Sequence, residues 1–89
     1  MSQTYLEVTF RQGKPLAAYY YLPRRPGDRS VRCKRVEPGL IVDYARGGRP
    51  IGIEITAPDK VTAAALNRVL KGLGLPSVRR SDLAPLRAA

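Results

Sequence analysis

The chain of 89 residues contains no histidine, only one cysteine and few acidic residues. The missing histidine removes the commonest general base near neutral pH, the commonest transition-metal ligand and the usual activator of a nucleophilic cysteine. We therefore expect no enzyme: no catalytic residues, no metal site and no cofactor. Cys33 has no second cysteine to pair with, which agrees with a reducing compartment, and it reads as a small buried apolar side chain. No apolar run approaches the roughly 20 residues that span a bilayer. The N-terminal Met1-Ser2-Gln3-Thr4-Tyr5 has neither the basic nor the apolar part of a secretory signal, so a cytoplasmic protein without membrane contact is expected.

The scarcity of acid leaves a formal charge of +9, from 16 Lys and Arg against 7 Asp and Glu. Such an excess attracts nucleic acid, anionic membrane or an acidic protein, although it also serves solubility alone. The length allows one domain with a modest core, burying about 60 to 65% of the surface of the unfolded chain.

Side-chain alternation specifies a β-hairpin from Gly39 to Ile55. With Gly47-Gly48 as a two-residue type I′ tip, Tyr44 meets Ile51, Val42 meets Ile53 and Leu40 meets Ile55 on one face. Ile41, Asp43, Gly52 and Glu54 fall on the other, and a one-residue slip would turn the isoleucines outward.

Strands are predicted at 4–11, 15–22, 30–36, 39–45 and 50–56. In the first, Leu6, Val8 and Phe10 alternate with Tyr5, Glu7 and Thr9. A three-residue turn at Gln12-Gly13-Lys14 pairs Phe10 with Leu16 and Val8 with Ala18, leaving Tyr20 and Leu22 inward and Tyr19 and Tyr21 outward. A two-residue turn reverses those faces, and apolar matching favours the first arrangement. Pro23 to Arg29 forms an exposed basic loop, because two prolines and a glycine interrupt regular structure. Val31 and Cys33 are expected inward on the third strand, with Arg32 and Lys34 outward.

After Ile55 the apolar period changes from two to about 3.6. A helix over 58–72 is predicted, capped by Thr56, with Pro58 in its first turn and Gly72 and Gly74 at its end. Val61, Ala65, Leu66, Val69, Leu70 and Leu73 make its apolar stripe. The expected fold is α+β: an antiparallel meander of about five strands with one α-helix on one face, in a single domain over residues 1–75. Residues 76–89 form a short extension, a loop or short helical turn limited by Pro85, which docks in cis or in trans.

The segments Ala18-Tyr19-Tyr20-Tyr21-Leu22, Gly39-Leu40-Ile41-Val42-Asp43-Tyr44 and Gly48-Arg49-Pro50-Ile51-Gly52-Ile53-Glu54-Ile55 together resemble a family of small bacterial proteins, domain of unknown function 2283. The likeness runs from about Tyr5 to Ala57. This chain departs from the family pattern at Gln12-Gly13-Lys14 and at Arg46-Gly47-Gly48, where acidic residues are usual. Some members look like the small partner in toxin and antitoxin pairs, so the resemblance implies a binding role.

The leading expectation is an uncharacterised, non-catalytic protein-interaction module, either a homodimer or a small antitoxin-like partner. Its contact residues would be Tyr5, Tyr19, Tyr21, Ile41, Leu83 and Leu86. The alternative is nucleic-acid binding through Arg24, Arg25, Arg29, Arg32, Lys34 and Arg35, with Tyr19 and Tyr21 as stacking surfaces. Asp43 and Glu54 are diagonal neighbours on the outer face, where surface ion pairs with Arg and Lys are expected in preference to cation binding or acid-base chemistry.

Overall fold

Three tight turns set the sheet. Gln12-Gly13, Pro38-Gly39 and the Arg46–Gly48 loop each contain a residue with positive φ, and they separate strands β1 (Tyr5–Arg11), β2 (Lys14–Tyr21), β3 (Arg32–Glu37), β4 (Leu40–Tyr44) and β5 (Pro50–Ile55). This computed structural model describes residues 4–87, without the Arg87 side chain; residues 1–3, where the signal reading began, and 88–89, the end of the expected extension, lie outside it. All four pairings are antiparallel, and one α-helix, α1 (Ala63–Gly72), packs on the apolar face, giving the expected α+β fold with a short C-terminal extension.

The strand order is β1-β2-β5-β4-β3, not the sequential order of a meander. β2 pairs with β5, placing Ala18 opposite Ile55 and Tyr20 opposite Ile53 on the core face. Had β3 taken that place, its many cations would have stood in the middle of the sheet. The loop between β2 and β3 must therefore cross the end of the sheet to reach the far edge. Asp28 ties it there, accepting hydrogen bonds from Arg49 at 2.6 and 3.0 Å and from the Arg25 backbone N–H at 2.7 Å. Leu22 N–H and the Arg24 guanidinium both donate to the Ile51 carbonyl, at 3.2 and 2.8 Å. This segment is a pinned crossover, although Arg25 and Arg29 within it are exposed as expected.

Both hairpin loops differ in length from expectation, and a bulge corrects each difference. The β1–β2 turn has two residues, with Gln12 at φ 53° and Gly13 at φ 79°, which alone would reverse the faces of β2. Thr9 pairs with Ala17 and Phe10 with Pro15, so Leu16 is left over and the expected faces return: Tyr20 and Leu22 inward, Tyr19 and Tyr21 outward. The β4–β5 loop has three residues, because the Ala45 N–H bonds to the Arg49 carbonyl at 2.8 Å. Tyr44 consequently meets Pro50 instead of Ile51, and Ile51 is the surplus residue; Val42–Ile53 and Leu40–Ile55 stand as predicted.

The faces of β3 are opposite to expectation. Cys33 lies across from Asp43 and Lys34 across from Val42, so Cys33 is on the outer face and is exposed, not buried. The helix reaches only the end of this strand, where Arg68 bonds Glu37, so no apolar packing sets the faces of Arg32–Val36, and Val31 is 55% exposed just before it.

The helix starts later than predicted. Pro58–Lys60 make a 3-10 turn, Val61 is extended at φ −94° and ψ 127° and buries its side chain, and Thr62 rather than Thr56 caps α1 by accepting from the Ala65 N–H at 3.0 Å. At the other end, the Leu75 N–H reaches the Leu70 carbonyl at 2.9 Å and the Gly74 N–H reaches that of Lys71 at 3.0 Å. This is the glycine-terminated cap anticipated from Gly74, whose φ is 75°.

The extension docks in cis. Asn67 on α1 donates to the Val78 carbonyl at 3.1 Å and accepts from its N–H at 2.8 Å. Beyond it a 3-10 segment, Arg80–Arg87, inserts Leu83 and Leu86 into the core. Truncating Asn67 leaves both Val78 backbone groups without their partner. We predict that Asn67→Ala lowers unfolding free energy by about 1–3 kcal/mol in urea titrations and speeds proteolysis after Ser77.

Candidate functional site on the outer sheet face

No helix packs on the outer face of the sheet among the described residues; α1 and the C-terminal segment lie on the other side. Alternation brings Tyr5 and Glu7 of β1, Tyr19 and Tyr21 of β2, Gly52 and Glu54 of β5, and Ile41 and Asp43 of β4 to this face. Tyr5 and Tyr21 stack with ring centres 4.3 Å apart, and Tyr19 meets Tyr21 edge-on at 4.7 Å. The Tyr21 hydroxyl donates to Glu7 at 3.0 Å, and the Arg24 guanidinium lies 5.2 Å from the Tyr21 ring centre.

Gly52 makes this arrangement possible. A methyl group there would overlap the ring and hydroxyl of Tyr19, which lies flat across the backbone of β5. From this position the Tyr19 hydroxyl donates to Asp43 at 2.8 Å and accepts from Arg24 at 3.4 Å. Asp43 is only 6% exposed although it stands on the uncovered face. The Tyr19 phenol is pushed above its ordinary range by burial, then by its hydrogen bond to Asp43 and that group's charge, with Arg24 opposing.

Asp43 and Glu54 share this environment. The Glu54 carboxyl is raised above its ordinary value of 4.5, first by hydrogen bonding with Asp43, then by burial and by the charge of Asp43. The expected ion pairs with Arg and Lys do not form on either carboxylate among the described residues, whose salt bridges join Arg49 to Asp28, Arg68 to Glu37 and Arg79 to Asp82. Chemically, the cluster brings two carboxyl groups together beside a phenol that donates to one of them. Among the described residues no group of three metal-ligating side chains occurs.

Tyr5, Tyr19, Tyr21 and Ile41 thus lie on one face as expected, with Tyr5 at 49% exposure. Leu83 and Leu86 do not join them: they are 5% and 2% exposed within this chain's own core and offer no contact surface. The cations of the nucleic-acid reading do not converge on the tyrosines either. Arg24 reaches Tyr19 and Tyr21, but Arg32, Lys34 and Arg35 lie on β3, three strands away from β2, or roughly 14 Å. Arg32 and Lys34 share the helix side with Tyr44 and Val42, and Arg32 stacks 5.0 Å over the Tyr44 ring. Gly52 and Glu7 escaped the sequence argument as members of the site. The signal for Gly52 was present: a glycine between two isoleucines in a strand marks a close approach.

Comparison of the chain with protein-family models, curated proteins and solved structures finds no significant match. No helix among the described residues is long and apolar enough to cross a membrane.

Two outcomes follow for this face. Gly52→Ala must displace Tyr19 and uncouple it from Asp43, costing about 1–3 kcal/mol in chemical denaturation. The raised Glu54 value means that the folded state binds its proton more tightly than the unfolded one. That contribution to stability is complete below the ordinary value of 4.5 and is lost as pH rises through the elevated folded value. Glu54→Gln abolishes this loss, so its melting temperature relative to the parent should rise between pH 4 and pH 7; a constant difference would show that Glu54 titrates normally.

Proposed function

We propose that the chain is a small non-catalytic interaction module that binds another polypeptide, a second copy or a distinct partner, through the outer face of its sheet. The observation that carries this reading is the uncovered face itself: stacked Tyr5 and Tyr21, the flat Tyr19 and half-buried Ile41 form an aromatic and apolar centre bounded by Glu7, Glu54 and Arg24. Tyrosine-rich, partly desolvated surfaces of this composition are typical of interface centres. The resemblance to domain of unknown function 2283 supports the same role, since Gly52, Asp43 and Tyr19 lie within the segments that carry it, and it makes a small antitoxin-like partner the natural candidate.

The nucleic-acid reading draws on Arg25, Arg29, Arg32, Lys34 and Arg35, on which no ion pair forms among the described residues. It is the weaker of the two, because Asp43 and Glu54 stand between the tyrosines and the β3 cations. A strand of phosphates crossing from one to the other would meet like charge.

Affinity capture from native lysate, with and without nuclease, tests the choice. With the parent chain as bait we expect either self-association in light scattering or a protein partner that survives nuclease; both should be lost in a folded Tyr5→Ala/Tyr21→Ala variant. A monomer at high micromolar concentration with no nuclease-resistant partner would refute the module. Recovery that vanishes with nuclease, and falls with salt at a log-log slope of about −4 to −5, would favour nucleic acid.

A further inference from the structure

The third strand is exposed on both of its faces along Arg32–Val36, and among the described residues it is paired on one side only, with β4. Its other side presents open backbone N–H and C=O groups, the usual template for an added strand. The nearby acids are already used: Asp28 is held by Arg49 and Glu37 by Arg68, the latter with 2.9 and 3.0 Å hydrogen bonds. Arg32, Lys34 and Arg35 therefore stand on this edge with no ion pair among the described residues, with Arg25 and Arg29 in the crossover leading to it. A second copy of β3 is excluded as occupant, since pairing would set these cations against one another.

From this we propose that the β3 edge accepts an extended, acidic segment of a partner protein by strand addition. The choice of peptide over nucleic acid rests on how the cations are divided. Arg32 and Lys34 lie on the helix side of the sheet and Arg35 on the outer side with Cys33. An added strand sends alternate side chains to both sides and meets all three, whereas a phosphate backbone lying on one face does not. The added strand also satisfies the open backbone groups, which phosphates do only as acceptors. The bulge at Val36, between the Arg35–Ile41 and Glu37–Leu40 pairs, limits the straight ladder to Arg32–Arg35 and so favours a short segment. This inference rests on the interaction-module reading but uses a different surface from the outer face.

The test is titration of the full chain with a blocked eight-residue peptide of two Glu-Glu-Thr-Thr repeats, which as a strand carries glutamate on both sides, followed by amide NMR. The comparison ligands are the same peptide with a central proline, its lysine counterpart, and a single-stranded oligonucleotide. Expected are saturable shifts at Arg32–Val36, affinity lower by about tenfold or more for the proline peptide and for a folded Arg32→Glu/Lys34→Glu variant, and unchanged affinity in Tyr21→Ala. Equal binding of the proline peptide, tighter binding of the oligonucleotide at the same residues, or absence of shifts on β3 would each overturn the edge assignment. Loss of peptide binding in Tyr21→Ala alone would also overturn it, while leaving the module reading intact through the outer face.

Discussion

Strand β5 is hydrogen-bonded on both of its edges, and the rest of the molecule is arranged around that double pairing. Ile53 stands between Val42 and Tyr20, and Ile55 between Leu40 and Ala18, so two adjacent rows of side chains cross three strands. Ile53, Ile55, Leu40 and Val42 are fully buried, each contributing roughly 1.5–3 kcal/mol relative to exposure. Those rows require a cover, which α1 supplies through Leu66, Val69 and Leu70 and the extension through Val78, Leu83 and Leu86. The long crossover between β2 and β3 follows from the same constraint. Once β2 occupies the free side of β5, β3 can reach β4 only around the end of the sheet, and the Asp28–Arg49 pair is the tie that holds the chain on that route.

The same strand shapes the outer face by what it omits. Gly52 has no side chain between the buried Ile51 and Ile53, and Tyr19 fills the space by lying across it. This buries Asp43 on a face that no helix covers. An isolated charge so placed would be costly, and the structure offsets the cost with a phenolic donor at 2.8 Å. The carboxyl pair is thus explained by the backbone of β5 before any ligand is invoked.

How much of this is legible in the sequence depends on whether packing specifies it. The inner faces of β2, β4 and β5 are readable because their apolar residues recur with period two and have one place to go. That signal is strong enough to survive two wrong loop lengths: Leu16 and Ile51 are squeezed out of the ladder, and the faces are kept. β3 is unreadable for the converse reason. With both faces exposed, nothing distinguishes inward from outward, and Cys33 follows the register set by Asp43 and not its own hydrophobicity. Strand order is also hidden, since hairpin chemistry reports only sequence neighbours, while the β2–β5 pairing spans more than 30 residues. The helix start is misplaced because Thr56 and Thr62 are both good caps, and only the extended, buried Val61 decides between them. The extension carries too little periodicity around Pro85 to reveal its docking, which depends on Asn67, a polar residue that reads as solvent-facing.

The net charge of +9 is not a uniform field. Arg49, Arg68 and Arg79 are paired with acids, and Arg24 is turned onto Tyr19 and the Ile51 carbonyl. Arg32, Lys34 and Arg35 gather on the β3 edge, while the outer-face carboxylates of Asp43 on β4 and Glu54 on β5 sit one and two strands inward. Surfaces of different character at that spacing favour different partners, or different parts of one partner: an aromatic centre suits a side chain pressed flat against it, and an open basic edge suits a backbone laid alongside. In the interaction-module reading, a partner with an acidic strand and an apolar flank would meet both at once. A polyanion would be drawn to the edge and repelled by the centre. In that reading, the placement of Asp43 and Glu54 beside the basic edge, which the total charge does not reveal, would favour a protein over a nucleic acid.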